Sequence, residues 1–511
     1  MNTLYVFGIG GTGERVLRSL VMLVAGGLDI KCNVIQPVFI DSDSQSKALE
    51  RAKILIDKYR KVRQLVATSD DYFQRSNIMP QMFRPEIKEA ILLNISGSQV
   101  ESLKKMVEYA NMPDNMKAEF DMLYSKKSQE MNLSWGFVGN PSIGSIVLNQ
   151  MLETESFISL RNSITSNDGV FIVSSIFGGT GASGFPLLVN SLKENREGNI
   201  PMGALSIFPY FKLTSDEDHS DTAKALSGYD VKPEDFSIKT KAALTYYDKH
   251  LKGLSSMYYL GSNSIDNRCE YKKCLGGSEQ DNPACAIELW GAKAIAHFTH
   301  EVLDVEQEDL TNTKYYEYFV DKGDGQQFFQ LDTIDPEVDF RKIFVRLEFL
   351  ELLWKHFIPG YLSTSGNQWA TSTQMTTSRY DTLMGSVLNG FLSDFQGWKQ
   401  ELKCDANNFF KFRFFNDEET YDVVKEERNI TTRFFPSIAQ RCSRFGFMET
   451  TVDPNFAKLM NDPAVEHHKD GLTNDRIRQQ FAFFTSLYTI EHIVSDTDKN
   501  KKINLEFNTR D

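Results

Sequence analysis

Two glycine-rich strings carry the residues best placed to do chemistry in this chain: Gly8–Val16, reading GIGGTGERV, and Val173–Gly184, reading VSSIFGGTGASG. Each follows an apolar, strand-like run and opens into a helical pattern. Loops of this kind turn backbone N–H groups and a helix N-terminus toward an anion, which makes a phosphate cradle. Glycine is needed where the backbone must come close to a ligand, often at positive φ, because a Cβ would obstruct it. One such loop is a weak signal, whereas two in alternating α/β sequence point to a nucleotide binder. Other combinations are poorer. Cys269, Cys274 and Cys285 have irregular spacing for zinc and no fourth ligand nearby. His297 and His300 lie three apart without a companion carboxylate pattern and read as packing residues, and His467-His468 as a solvated pair.

The elements that must position the loops alternate through the first half. Leu4–Ile9 reads as a strand, followed by an amphipathic helix Glu14–Val24 with Val16, Leu17, Leu20, Val21 and Val24 on one side and Arg15 and Arg18 interrupting it. Val34–Ile40 is a second strand, Lys47–Val66 a charged surface helix, and Asp70–Lys127 a polar insertion of short helices. The loop Gly136–Gly144 and a helix follow. Gly169–Ser175 is the strand that delivers the second glycine string, Phe185–Glu194 a helix, Ala204–Pro209 a strand, Lys239–His250 a helix and Met257–Leu260 a strand. Repeated βα units predict an α/β fold, a mostly parallel sheet with helices on both faces. Ligands in such sheets bind beyond the carboxyl ends of the strands, where both glycine strings fall. Cys285–Leu303 reads as a long buried helix (about 283–304 with its approach), and Tyr315–Val320 with Gln326–Leu331 as a β-hairpin. Beyond a boundary near Asp335 the character changes to a mainly helical C-terminal domain, 336–511, beginning with the apolar helix Phe340–Phe357 and its stripe of core or interface residues.

Composition bounds the function. The 511 residues suffice for two or three domains, and a net charge of −13 argues against a nucleic-acid or anionic-membrane partner. Six scattered cysteines are no secreted disulfide framework, no apolar stretch reaches membrane-spanning length and the N-terminus has no signal-peptide pattern, so the chain reads as cytoplasmic.

Taken in order, the segments resemble the tubulin and FtsZ family of GTPases. Gly8, Gly10, Gly11 and Gly13 are similar to that family's first nucleotide loop, and Phe39–Gln45 (FIDSDSQ) to the second, where FtsZ-type proteins carry Asn-Thr-Asp. Gly139-Asn140-Pro141-Ser142-Ile143-Gly144 resembles the third. Asp168–Val173 leading into Gly178–Gly184 is similar to the signature strand and loop, Ala204–Phe211 to the following strand, and Leu251–Asn263 to the strand ending in an asparagine near the nucleotide. The resemblance covers roughly residues 4–335 (a nucleotide-binding domain, 1–335) and is strongest at the signature loop. Phe177 departs from it, standing where a glycine is usual, as does Ala-Ser before Gly184. The insertion Asp70–Lys127 is longer than its FtsZ equivalent, and nothing after Pro336 matches, which points to divergent bacterial tubulin-like proteins.

The resemblance implies that Gly10, Gly11, Thr12, Gly13, Asp41, Asp43, Gly139, Asn140, Pro141, Gly178, Gly179, Thr180 and Gly181 surround the phosphates of GTP or GDP, with Mg²⁺ as cofactor. It places Asn263 and Asn282 near the base, although either serves equally well as a cap or turn residue. It also implies that Asp332 and Asp335, in Gln330–Asp335 (QLDTID), polarise the hydrolytic water for a neighbouring subunit, an Asp-x-x-Asp pair being able to order a water and hold a cation beside the γ-phosphate. The plain alternative is that Asp335 caps a helix and Asp332 closes the hairpin. Head-to-tail filaments follow, with a protein partner for the C-terminal domain. Two rivals stay open: a nucleotide-dependent switch or scaffold with little turnover, as in a bacterial defence or stress operon, and a Rossmann-type dinucleotide enzyme in which Asp41 or Asp43 binds a ribose.

Overall fold

A computed structural model describes residues 1–43, 45–67, 80–94, 102–133, 137, 140–193, 200–214, 233–251, 253–262, 269–272, 280–285, 287–303, 313–320, 340–362 and 375–403, with short helical pieces between 478 and 491. The core is one parallel sheet. Its strands are β1 (Thr3–Ile9), β2 (Val34–Asp41), β3 (Glu86–Ile87), β4 (Ile91–Asn94), β5 (Gly169–Ser175), β6 (Met202–Ile207), β8 (Ser256–Ser262) and β10 (Lys314–Val320). Their order is β10-β8-β6-β5-β1-β2-β3, with β4 also paired to β2. Chain order reverses between β1 and β5, because β2 leaves to one side of β1 and every later major strand is added on the other. That is the topological switch point at which a doubly wound sheet opens a crevice. Two short strands, β7 (Phe211–Thr214) and β9 (Cys269–Lys272), pair in parallel as a separate small sheet.

Helices cover both faces. A Cβ on Gly8 would meet Leu17 in α1 (Gly10–Ala25), while Ile9, pointing the other way, lies against Gly184 of a helix on the opposite side. The first face also carries the long helix Ile287–Leu303, whose Gly291 sits against Val16 and Leu205. With α2 (Lys47–Ala67), and with α3 (Asp114–Leu123) in the insertion, the other described helices of seven residues or more are α4 (Pro141–Leu152), α5 (Glu155–Ser163), α6 (Gly179–Lys193), α7 (Pro233–His250), α8 (Ile287–Leu303), α9 (Phe340–Leu352), α10 (Thr377–Leu383) and α11 (Asn389–Lys403). The expected α/β class is thus observed.

Several local expectations need correction. The insertion was expected to hold short helices; it also supplies β3 and β4, which extend the sheet beyond β2. α1, read as an amphipathic helix interrupted by Arg15 and Arg18, is buried along almost its whole length, the two arginines included. α2 is no simple surface helix either. Leu55, Tyr59 and Val62 are buried, and Lys58 pairs with Asp394 of α11 at 2.7 Å. The C-terminal helices supply this cover. Ile343 of α9 approaches Gly26 so closely that a Cβ there would lie 2.8 Å from the Ile343 carbonyl. Trp398 of α11 stacks on Phe344 and donates its indole N–H to Ser19 at 3.3 Å. α9 ends at Leu352 and continues through a π-helical turn, Leu353–Phe357. Of the expected hairpin, the first strand is β10, paired in parallel with β8; Gln326–Leu331 lies outside the described residues.

Candidate functional site

The site begins where β1 and β5 end. Gly10 has φ +67°, a conformation that favours glycine, and a Cβ there would stand 3.4 Å from Thr180 Cβ and 3.7 Å from the Gly181 nitrogen. The two glycine strings, distant in sequence, therefore meet face to face at the switch point. Gly13 seats α1 on β1, since a Cβ would come 2.7 Å from Gly8 Cα. The third loop joins them: Gly144 packs on Ser183, and a Cβ at 144 would be 3.0 Å from the Gly179 carbonyl.

Three helix N-termini thus converge. α1 starts after Ile9 and α4 after Asn140, neither with a side-chain cap, and α4 has Pro141 in its first turn. The first turns of α1, α4 and α6 contain no acidic residue. Uncapped N–H groups with the positive ends of helix dipoles form an anion site. Gly178, Gly179 and Thr180 are half-buried at its rim. Gly181 is tight against the Ser175 backbone, where a Cβ would come within 2.8 Å of the carbonyl oxygen, so it shapes the strand-to-helix turn itself.

One flank of the α1 first turn is acidic. Asp41 accepts the Asp43 amide at 3.1 Å and Asp43 the Gln45 amide at 3.0 Å, so both carboxylates fold their own loop back on itself. Ser46 donates to Glu14 Oε2 at 2.8 Å, while Glu14 Oε1 is buried without a hydrogen-bond partner. Burial pushes the Asp41 carboxyl up to about 7, and the Asp43 charge adds to it. Burial, then the Asp41 charge, holds Glu14 well above the usual carboxylate range. A cation would relieve these groups, and the orphaned Glu14 oxygen fits one nearby. Among the described residues, however, no group of three His, Cys, Asp or Glu is spaced to enclose a metal.

The other flank is a buried network. Arg15 donates to Glu288 Oε1 at 2.7 Å and to the Tyr210 hydroxyl at 2.6 Å, and its guanidinium lies 5.1 Å from the Tyr271 ring centre. Thr12 Oγ1 is 3.3 Å from the same Tyr210 hydroxyl. Burial lifts the Glu288 carboxyl to about 6 against the opposing pull of Arg15. Phe177, the residue that departs from the glycine pattern, is buried edge-on against Phe211 at 5.3 Å and Tyr210 at 6.4 Å. It thereby ties the small β7–β9 sheet to the signature loop.

Of the expected site residues, Gly10, Gly11, Thr12, Gly13, Asp41, Asp43, Asn140, Pro141 and Gly178–Gly181 lie in or beside this crevice. Asn282 is half-buried in the segment that leads into α8. Gly139, Asn263, Asp332 and Asp335 lie outside the described residues. Sequence reasoning missed Glu14, Arg15, Tyr210, Tyr271 and Glu288. The available signal was a Glu-Arg pair inside an otherwise apolar helix, where charges persist only when partnered. Cys285 is disulfide-bonded, which removes it from the zinc set considered above.

No protein-family model matches the sequence, and neither does any curated protein. Among solved structures, the chain is similar to CetZ2 from Haloferax volcanii in a GTPγS-bound protofilament, at 14% identity and a TM-score of 0.28 over 60% of this chain. The chain spans 61% of that protein's length.

Proposed function

We propose that this chain is a tubulin/FtsZ-like GTP-binding protein that hydrolyses GTP with Mg²⁺ and associates head to tail. The observation that carries the reading is the meeting of three sequence-distant loops, at Gly10, Gly144 and Gly179–Gly181, around uncapped helix N-termini at the switch point. The strand order is shared with dinucleotide-binding folds, so topology does not separate the two. The second glycine loop favours the first reading: a Rossmann site needs only the turn after β1, whereas here the turn after β5 is equally glycine-built and in contact with it. In this reading the backbone amides of both loops hold the phosphates, Thr180 adds a hydroxyl, and Asn263 and Asn282 read the base. Mg²⁺ supplies charge neutralisation at the phosphates, and Asp332 with Asp335 of a neighbouring subunit act on the water. The nucleotide-binding domain spans 1–335 and the helical C-terminal domain 336–511.

Gly179→Val tests the cradle, because Gly179 lies at the half-exposed start of α6. The variant is expected to keep the wild-type circular dichroism spectrum and lose GTP binding by calorimetry. Wild-type affinity in this variant would sink the loop assignment. NAD outcompeting GTP in the wild-type protein would favour the dinucleotide alternative.

A further inference from the structure

α1 carries Arg15 and Arg18 one turn apart, and each is paired with a buried or half-buried carboxylate. Arg15 holds Glu288 of α8. Arg18 grips Glu401 of α11 with both nitrogens, at 2.6 and 3.0 Å. The two carboxylates then accept consecutive backbone amides at the entrance to α8: Ala284 N–H donates to Glu401 Oε2 at 2.8 Å, and Cys285 N–H to Glu288 Oε2 at 3.1 Å. The preceding carbonyl, Pro283, accepts the Tyr271 hydroxyl at 3.1 Å, and Asp281 pairs with Arg51 of α2 at 2.6 Å. Residues 281–285 are therefore held by α2, α8, β9 and α11, the carboxylates of α8 and α11 being in turn paired with α1. The anchor from the C-terminal helices, Glu401, accepts a main-chain N–H and also lies 3.7 Å from Arg51, the partner of Asp281.

We infer that Glu401 is a positioning residue of the nucleotide site, by which the C-terminal helix α11 sets the base-side wall formed by residues 281–285. The inference rests on the nucleotide-binding reading. The same α1 that bears Arg15 and Arg18 begins as the phosphate loop, and Thr12 and Arg15 share the Tyr210 hydroxyl. The phosphate half and the 281–285 wall are thus indexed to one helix by two parallel arginine–carboxylate–amide links. Releasing the Glu401 link frees the wall and leaves the loops that cradle phosphate in place. Its signature is a loss confined to ligands that carry a base.

The experiment uses the full chain with Glu401→Ala and Glu401→Gln, the latter keeping an acceptor for Ala284 and losing the negative charge that faces Arg18. Ligand-free hydrogen exchange over peptides spanning 280–290 is expected to quicken in Glu401→Ala by about tenfold, the size of one lost charge-assisted hydrogen bond. GTP affinity is expected to fall by about tenfold and the preference for GTP over ATP to shrink, each 1.4 kcal/mol counting as tenfold. Binding of tripolyphosphate, which has no base, is expected to stay at the wild-type level. Glu401→Gln should recover part of the GTP affinity. Equal weakening of GTP and tripolyphosphate would show general damage and overturn the inference, as would unchanged exchange over 280–290. A wild-type protein that binds neither ligand would overturn the nucleotide reading itself and the inference with it. The exchange result would still report whether Glu401 holds the segment.

Discussion

The site's chemistry is set by how each charged residue is satisfied. Asp41 is the sharpest case. Its folded-state carboxyl holds a proton up to about pH 7, whereas in the unfolded chain it titrates near the ordinary value of 3.8. Its contribution to stability is therefore complete below about pH 4 and is lost as the pH rises through about 7. Asp41→Asn is expected to raise the thermal midpoint at pH 8 and change little at pH 4, the gain at pH 8 being about 1–3 kcal/mol, as for an incompletely satisfied buried polar group. Phosphates arriving beside Asp41 favour its protonated form, so GTP binding without Mg²⁺ is expected to take up protons near neutral pH. Calorimetry in buffers of different ionisation enthalpy measures that uptake, and Asp41→Asn should reduce it. Arg15 obeys the opposite logic. Removing it alone strands Glu288 in the core, so Arg15→Ala should cost about 3–5 kcal/mol. The paired replacement Arg15→Met with Glu288→Leu should cost much less than the two single changes added together. Additive losses in denaturant unfolding would mean that the pair is not coupled.

At the level of elements, the parallel sheet and its glycine turns were legible because their signals are local. Short apolar runs, glycines at their ends and helical periodicity after them need no knowledge of distant residues. β3 and β4 were not legible, since two to four residues inside a polar insertion have no periodicity to read, and they become strands only by pairing with β2. The burial of α1 was hidden for another reason: Arg15 and Arg18 look solvent-facing until Glu288 and Glu401 arrive from far along the chain. α2 likewise reads as a surface helix until α11 covers it. For the candidate site, the glycines could be found by type, whereas Tyr210, Tyr271 and Glu288 could not, since nothing in their own neighbourhood marks them. The cover itself yields a prediction. Trp398 has no exposed surface, stacks on Phe344 and bonds Ser19. Trp398→Ala should cost about 3–5 kcal/mol, the usual loss for a buried tryptophan. Limited proteolysis should then cleave α11 well before the sheet. A variant as resistant as wild type would show that α11 contributes little to holding the C-terminal helices in place.

The glycine-loop crevice lies at the carboxyl edge of the sheet, and the acidic string Gln330–Asp335 lies outside the described residues. In the proposed reading no single subunit holds both halves of the active site, and hydrolysis needs the acids of a neighbour. Such a contact joins unlike surfaces, so unless the rotation closes a ring it repeats into a filament. Four measurable consequences follow. GTPase activity per molecule should rise with protein concentration, and sedimentation should show larger species with GTP than with GDP. Asp335→Ala should slow turnover by about 10²-fold or more, the range in which a group acting on the water contributes, without weakening GTP binding, because the cradle of amides is untouched. Mixing inactive Asp335→Ala with inactive Gly179→Val subunits should restore part of the activity, since a Gly179→Val subunit can still lend its acids to a neighbour whose cradle is intact. That complementation separates a shared site from a slow monomeric one. Activity flat across a hundredfold dilution, together with no rescue on mixing, would instead favour a nucleotide-dependent switch, in which the Arg18–Glu401 ion pair joining α11 to α1 relays occupancy and turnover is incidental.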